Sequence, residues 1–134
     1  MSTDAIVESL EIAAERAGDI APAIYEGYFV RCPESRELMR YVDTHMRGRM
    51  LDSVFTLLMS DETSDEFRYL QFEAAAHSSY GVLPHMYENL LAAVRATVRH
   101  ACGSSWTGAM SAAWNARLDV LLRELRTAVD PAVA

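Results

Sequence analysis

Residues 74–87 read AAAHSSYGVLPHMY, and this stretch decides how the rest of the chain is interpreted. A helical run with small alanines reaches a single histidine, His77, after which Gly81 turns the chain and Pro84 opens another helix. Tyr87 follows early in that helix, where it can fold back toward the histidine. The arrangement suits a metal-ligating histidine, because a neighbouring group must fix the orientation of such a ligand. It also suits a solvated histidine at a helix C-terminus, which the helix dipole favours.

The composition indicates one globular domain, and we treat residues 1–134 as a single unit. The chain has 134 residues, of which 51% are hydrophobic. Its net charge of −7 argues against a nucleic-acid surface, since nothing would neutralise phosphates over a broad patch. No apolar run approaches a membrane span, and the acidic N-terminus does not resemble a secretory signal. Cys32 and Cys102 lie far apart without metal-type spacing, which predicts reduced thiols in a cytoplasmic protein.

Hydrophobic periodicity and helix-end signals predict about seven helices in an all-α domain, with no strand. The expected elements are a helix from residues 2–4 to Gly18, a second from Asp19 to Cys32, a short third from Pro33 to Met39, a long fourth from Asp43 or Thr44 to Ser60, a fifth carrying His77, a sixth from Pro84 to about Gly103 and a seventh from Ser105 or Trp106 to Asp130.

The long fourth helix carries an apolar stripe at the helical period. Its members are Met46, Met50, Leu51, Val54, Leu57 and Leu58. Methionine fills irregular gaps, so a core face is one interpretation of the stripe. The wall of a cavity that holds a flat apolar ligand is the other.

Three stretches, taken together and in order, resemble the bacterial globins, that is, the single-domain haemoglobins and the globin module of flavohaemoglobins. They are IYEGYFVRCPESRELM at residues 24–39, HSSYGVLPHMY at residues 77–87 and AAW at residues 112–114. The resemblance covers nearly the whole chain. It implies an all-α globin fold with about seven helices around a haem pocket.

The resemblance also implies roles for particular residues. Haem would lie between the long fourth helix and the helix of His77, with His77 as the proximal iron ligand. Tyr87 resembles the tyrosine that supports the proximal side. Tyr25 matches the distal tyrosine, whose hydroxyl can donate to a bound gas ligand in a dry pocket. The alternative for Tyr25 is a core tyrosine bonded to a backbone carbonyl.

Two methionines depart from the family pattern. Met39 stands where the family has a phenylalanine that packs on the porphyrin. Met46 takes the distal position by the apolar register that puts Met50 one turn later, and this register predicts an accessible iron. A shift of one residue would bring His45 there instead, but would turn Arg49 into the pocket, which burial disfavours. The haem-contacting residues implied are Tyr25, Met39, Met46, Met50, His77 and Tyr87.

Four functions fit this interpretation. The first is reversible binding of a diatomic gas, oxygen or nitric oxide. The second is nitric oxide dioxygenation, which would need a separate reductase because the chain has no glycine-rich dinucleotide fingerprint. The third is a gas-sensing module that acts on a signalling partner, and the fourth a haem-free globin used for regulatory protein contacts. His85 and His100 show no metal-type spacing, so we interpret both as surface residues.

Overall fold

The computed structural model describes residues 3–60 and 81–129. Six α-helices and one short 3-10 helix account for most of these ranges, and no strand occurs within them. The helices are α1 (Asp4–Ala17), α2 (Ala21–Arg31), α3 (Pro33–Leu38), α4 (Thr44–Met59), α5 (Pro84–Cys102) and α6 (Gly108–Val129). The predicted all-α class is therefore confirmed, while the helix expected to carry His77 falls outside the described residues. None of the described helices combines the length and apolarity needed to cross a bilayer.

Most of the predicted helix ends agree with the structure. α1 ends before Gly18, whose φ of 66° lies in the left-handed region that glycine adopts without strain. α4 begins after Asp43, whose carboxylate accepts the Met46 backbone N–H at 2.8 Å. α5 begins at Pro84 and ends before Gly103, with a φ of 54°. These ends are predictable because each depends on residues within one turn of the end itself.

Two helices begin later than expected. α2 begins at Ala21, since the Asp19 carboxylate accepts the Ala21 backbone N–H at 3.0 Å and so precedes the helix. α6 begins at Gly108, because the 3-10 helix Gly103–Ser105 intervenes. The Thr107 hydroxyl then accepts a backbone N–H of the first turn of α6 at 3.1 Å.

The core lies around α5, which packs against α1, α2 and α6. Trp114 of α6 is fully buried, and its indole N–H donates to Ser9 Oγ of α1 at 2.9 Å. Ser9 Oγ in turn donates to the Ile6 carbonyl at 2.7 Å. Cys102, at the end of α5, donates its thiol to the Ser9 carbonyl at 3.3 Å. Three helices are thus joined by satisfied buried polar groups inside an apolar interface.

The helix α4 is less deeply buried than predicted. Only Leu51 and Leu58 are buried among its residues, both of them members of the predicted stripe. Met50 is half-buried and packs against the core. The prediction that Met46 belongs to this inner face is wrong, since its side chain is 46% exposed. Successive helical residues point about 100° apart, and Arg47, the next residue, turns toward the interior in its place.

Candidate functional site

The predicted distal tyrosine, Tyr25, lies on the inner side of α2, where an apolar and aromatic face packs into the molecule. Its side chain is 5% exposed, and its ring lies 5.9 Å from that of Phe29 between centroids. The hydroxyl donates to the backbone carbonyl of Arg47 on α4 at 2.9 Å. This is the arrangement of the alternative interpretation, a buried tyrosine satisfied by a carbonyl. It nevertheless places the hydroxyl at the inner surface of α4.

The pKa of Tyr25 reflects this burial. Removal from water raises the pKa of Tyr25 from 10.0 to about 12, against a smaller lowering by the Arg47 cation. The phenol therefore stays protonated across the physiological range. We call the surface formed by Tyr25, Phe29 and Arg47 between α2 and α4 the wall. A protonated phenol that is shielded from water there is a hydrogen-bond donor, which is the property that a distal residue of a gas site requires.

The half-buried Arg47 is the residue at this site that the sequence analysis missed. Its guanidinium donates to the carbonyls of Val42 and Met39, at 3.0 Å and 3.2 Å. Its central carbon also lies 5.5 Å from the ring centroid of Tyr25 and 5.2 Å from that of Phe29. Contacts with two carbonyls and two aromatic faces thus offset the cost of partly removing the cation from water. The one available signal in the sequence was the four-residue spacing from Arg47 to Leu51, which puts both on one helix face.

The two remaining predicted methionines of the described chain lie near this wall. Met39, after α3, is 8% exposed, and its carbonyl is one of the two that hold Arg47. Met50 packs at the edge of the core from α4. By contrast, Met46 and His45 are both exposed in the first turn of α4. The structure therefore brings together Tyr25 and Met39, with Arg47 rather than Met46 between them.

The predicted proximal residues are only partly described. Tyr87 is half-buried on α5 and packs against the core, and its hydroxyl oxygen is shielded from solvent. His77 lies outside the described residues. Their predicted proximity therefore stays a prediction.

A cavity of about 730 Å³ opens between α1, α2 and α4. Its volume is within the range of cofactor and small-molecule sites, about 300–1,000 Å³. Its lining residues include Leu10, Ile20, Tyr25, Phe29, Arg47 and Leu51. Of the predicted haem contacts within residues 3–60 and 81–129, Tyr25 alone is among the lining residues. The cavity thus lies on the α1–α2 side of α4.

Comparison with known proteins gives one finding on the family. The family model described as Globin matches residues 41–125. The matched range includes all of α4 and α5 and most of α6. It contains His77 and Tyr87, and it begins after Tyr25 and Met39. Comparison with curated proteins finds no match.

Proposed function

This chain belongs to the globin family, and we propose that it holds haem and binds a diatomic gas, oxygen or nitric oxide, at an iron ligated by His77. The predicted all-α globin fold is thereby confirmed. The observation that carries the proposal is the family match over residues 41–125, within which His77 lies. A neutral imidazole is a normal axial donor to haem iron.

The described residues fit one side of such a site. Haem, when bound, supplies the iron to which the gas attaches. The pocket beside the haem needs an apolar surface and one buried hydrogen-bond donor. Tyr25 and its aromatic neighbours provide both. We propose Met39 and Met50 as further contacts of the porphyrin, and Tyr87 as the residue that supports His77. Met46 is left out of this set, because it is exposed and Arg47 occupies the inner face of α4.

The role proposed for Tyr25 is an exchange of hydrogen bonds. Its hydroxyl now donates to the Arg47 carbonyl at 2.9 Å. With a gas bound, the hydroxyl would rotate to donate to that ligand, and the Arg47 carbonyl would keep its place in the helical hydrogen-bond pattern of α4. A donor in a water-excluded wall stabilises the partial negative charge of bound dioxygen.

A second candidate, a globin without haem that acts through protein contacts, is favoured by one observation. The Tyr25 hydroxyl is already satisfied by a backbone carbonyl, and the Arg47 cation is held by Met39 and Val42. The polar groups of this wall already have hydrogen-bond partners within the protein, so no ligand is required to satisfy them. Haem content of the purified protein separates the two functions.

Partners, domain limits and location stay proposals. We propose a single globin domain over residues 1–134, supported by one cluster of buried side chains that runs from Ile6 to Leu125. A separate reductase is proposed for any nitric oxide dioxygenation, and a signalling partner for any sensing role. The free thiols of Cys32 and Cys102 support a cytoplasmic location.

Haem content of a histidine variant tests the proposal. We expect the purified protein to show a Soret band, and His77→Ala to lose most of its haem, because the axial bond anchors the iron. Added imidazole should restore binding if the pocket itself is intact. Measurement is by visible absorption and haem extraction on equal amounts of folded protein.

His45→Ala is the matched control, since His45 is the other histidine that the sequence offers near the iron. Its haem content and spectrum should equal those of the wild type. An unchanged Soret band in His77→Ala would contradict the ligand assignment. A wild-type protein that takes up no haem on reconstitution would establish the second candidate in its place.

A further inference from the structure

Three potential metal ligands meet where α3 and α5 begin. They are the thiol of Cys32, the carboxylate of Glu34 and the imidazole of His85. Their ligand atoms all lie within 4.8 Å of one another. Glu34 Oε1 and His85 Nε2 are already 2.6 Å apart. The sequence predicts a surface position for His85 and no metal-type spacing for Cys32, so their proximity is a finding of the structure.

We propose that Cys32, Glu34 and His85 form a binding site for Zn²⁺. Sulfur, imidazole nitrogen and carboxylate oxygen are the three ligand types that zinc takes in proteins. Three protein ligands leave the fourth tetrahedral position to water or to an exogenous ligand. The site does not include His77, so it stands or fails independently of the haem proposal.

The distances require only small movements. Bonds of about 2.0–2.3 Å at tetrahedral angles separate the ligand atoms by about 3.3–3.7 Å. The 2.6 Å contact between Glu34 and His85 must therefore widen. No separation among the three ligand atoms exceeds the tetrahedral range by more than about 1.5 Å, since all lie within 4.8 Å of one another. The two side chains are 51% and 48% exposed, so both have room to rotate. Cys32, which is 1% exposed, can stay in place as the fixed ligand.

Burial raises the pKa of Cys32 and keeps the sulfur protonated until a metal binds, while one neighbour can support the thiolate of the bound state. Ser35 Oγ lies 3.2 Å from Cys32 Sγ, where its hydroxyl can donate to the sulfur. On zinc binding the S–H bond breaks, a S–Zn bond forms and the proton passes to solvent. The Glu34 carboxylate binds as the anion, and the neutral imidazole of His85 binds through its free ring nitrogen, so the thiol proton is the one released on binding.

The competing explanation is a surface ion pair above an unrelated buried thiol. Glu34 and His85 are separated by 51 residues in the chain, so their contact alone would tie α3 to α5. Exposed ion pairs of this type contribute little to stability. They also bind no metal, which makes zinc affinity the deciding measurement.

Zinc titration of the full-length protein as purified, followed by zinc-edge X-ray absorption, tests the site. We expect one zinc per chain, with one sulfur neighbour at about 2.3 Å and nitrogen or oxygen neighbours at about 2.0 Å. Thermal unfolding should shift to higher temperature with added zinc, because binding selects the folded state. X-ray absorption at the zinc edge is unaffected by haem. Substoichiometric zinc, or a spectrum without sulfur, would overturn the proposal.

Variants identify the ligands. Cys32→Ser should remove the sulfur signal, and Glu34→Gln or His85→Ala should weaken zinc binding about tenfold or more, since even outer partners of a metal ligand are worth that much. The matched controls are Cys102→Ser, the other buried thiol, and His100→Ala, an exposed histidine of the same helix. Both should bind zinc like the wild type.

If Cys32→Ser folds poorly, variants of the two exposed ligands still test the site. Glu34→Gln and His85→Ala alter side chains that are about half exposed, so the fold should tolerate both. Wild-type zinc affinity in these two variants would refute the site. An affinity lost equally in His100→Ala would show that zinc binds elsewhere on the chain.

Discussion

Buried polar groups have different surroundings in two regions of the molecule. One region is the interface of α1, α5 and α6, and the other is the wall between α2 and α4. In the interface, Ser9 joins Trp114 and Cys102 through hydrogen bonds, and all three side chains are fully buried. In the wall, Tyr25 and Arg47 are held by carbonyls beside an open cavity of about 730 Å³.

The comparison indicates that the interface mainly determines stability and that the wall mainly determines ligand binding. Enclosed apolar contacts contribute most of the free energy of folding, since they remove the largest area from water. A half-buried cation and a phenol contribute little to stability, but the Tyr25 hydroxyl can exchange its carbonyl for a bound ligand. We therefore expect substitutions in the interface to change unfolding, and substitutions in the wall to change binding.

The largest effect is expected from Trp114→Ala. Its fully buried indole fills the interface, so its loss should lower the free energy of unfolding by about 3–5 kcal/mol. Urea denaturation followed by far-ultraviolet circular dichroism measures the change. Phe55→Ala, which alters a half-buried residue of the cavity wall, should cost less than half as much. Equal losses would remove the distinction between the two regions.

Tyr25→Phe should show the opposite pattern, with a large effect on gas binding. A hydroxyl donating to a partly anionic ligand is worth about 1.5–3 kcal/mol, so the oxygen dissociation rate should rise about tenfold or more. Flash photolysis or stopped-flow mixing on the haem-loaded protein measures this rate. The prediction depends on the proposed haem site.

Tyr28→Phe is the control for that experiment. The Tyr28 hydroxyl lies 2.7 Å from Ser35 Oγ, away from α4. Its removal should leave the oxygen dissociation rate within about twofold of the wild type. A similar small change in Tyr25→Phe would mean that Tyr25 serves packing alone.

Ser9→Ala should destabilise the interface without affecting the wall. It leaves the Trp114 indole N–H buried without its acceptor, which should cost about 1–3 kcal/mol. The control is Ser53→Ala, an exposed serine of α4 whose replacement should change stability by less than about 0.5 kcal/mol. Chemical denaturation of both variants is the measurement. No loss in Ser9→Ala would show that the interface relies on its apolar contacts alone.

The last expected effect is confined to alkaline pH. Folding raises the pKa of Tyr25 from 10.0 to about 12, so the folded state holds this proton more tightly than the unfolded chain. The resulting stabilisation is fully present below pH 10.0 and is lost as the pH rises through about 12. The wild type should therefore lose stability relative to Tyr25→Phe over that window. Parallel stability curves for the two proteins would place the titration elsewhere.

The sequence alone determined the fold class, the family resemblance and most helix ends. Glycine, proline and aspartate act within one turn of a helix end, so Gly18, Asp43 and Pro84 could be interpreted locally. Tyr25 was correctly expected to be buried, although its observed partner is a backbone carbonyl.

Only the tertiary structure decided the inner face of α4 and the ligand cluster near Cys32. Periodicity favoured Met46, because the alternative register with His45 would have turned the Arg49 cation into the pocket. The cation found on the inner face is instead Arg47. The compensating carbonyls and aromatic rings come from α2 and the segment before α4, and no local pattern reports them. Likewise, Glu34 and His85 are 51 residues apart and meet only because α3 packs beside the start of α5. Contacts between residues that are distant in the chain depend on how the helices pack. Local sequence patterns therefore do not predict the side-chain chemistry that such contacts create.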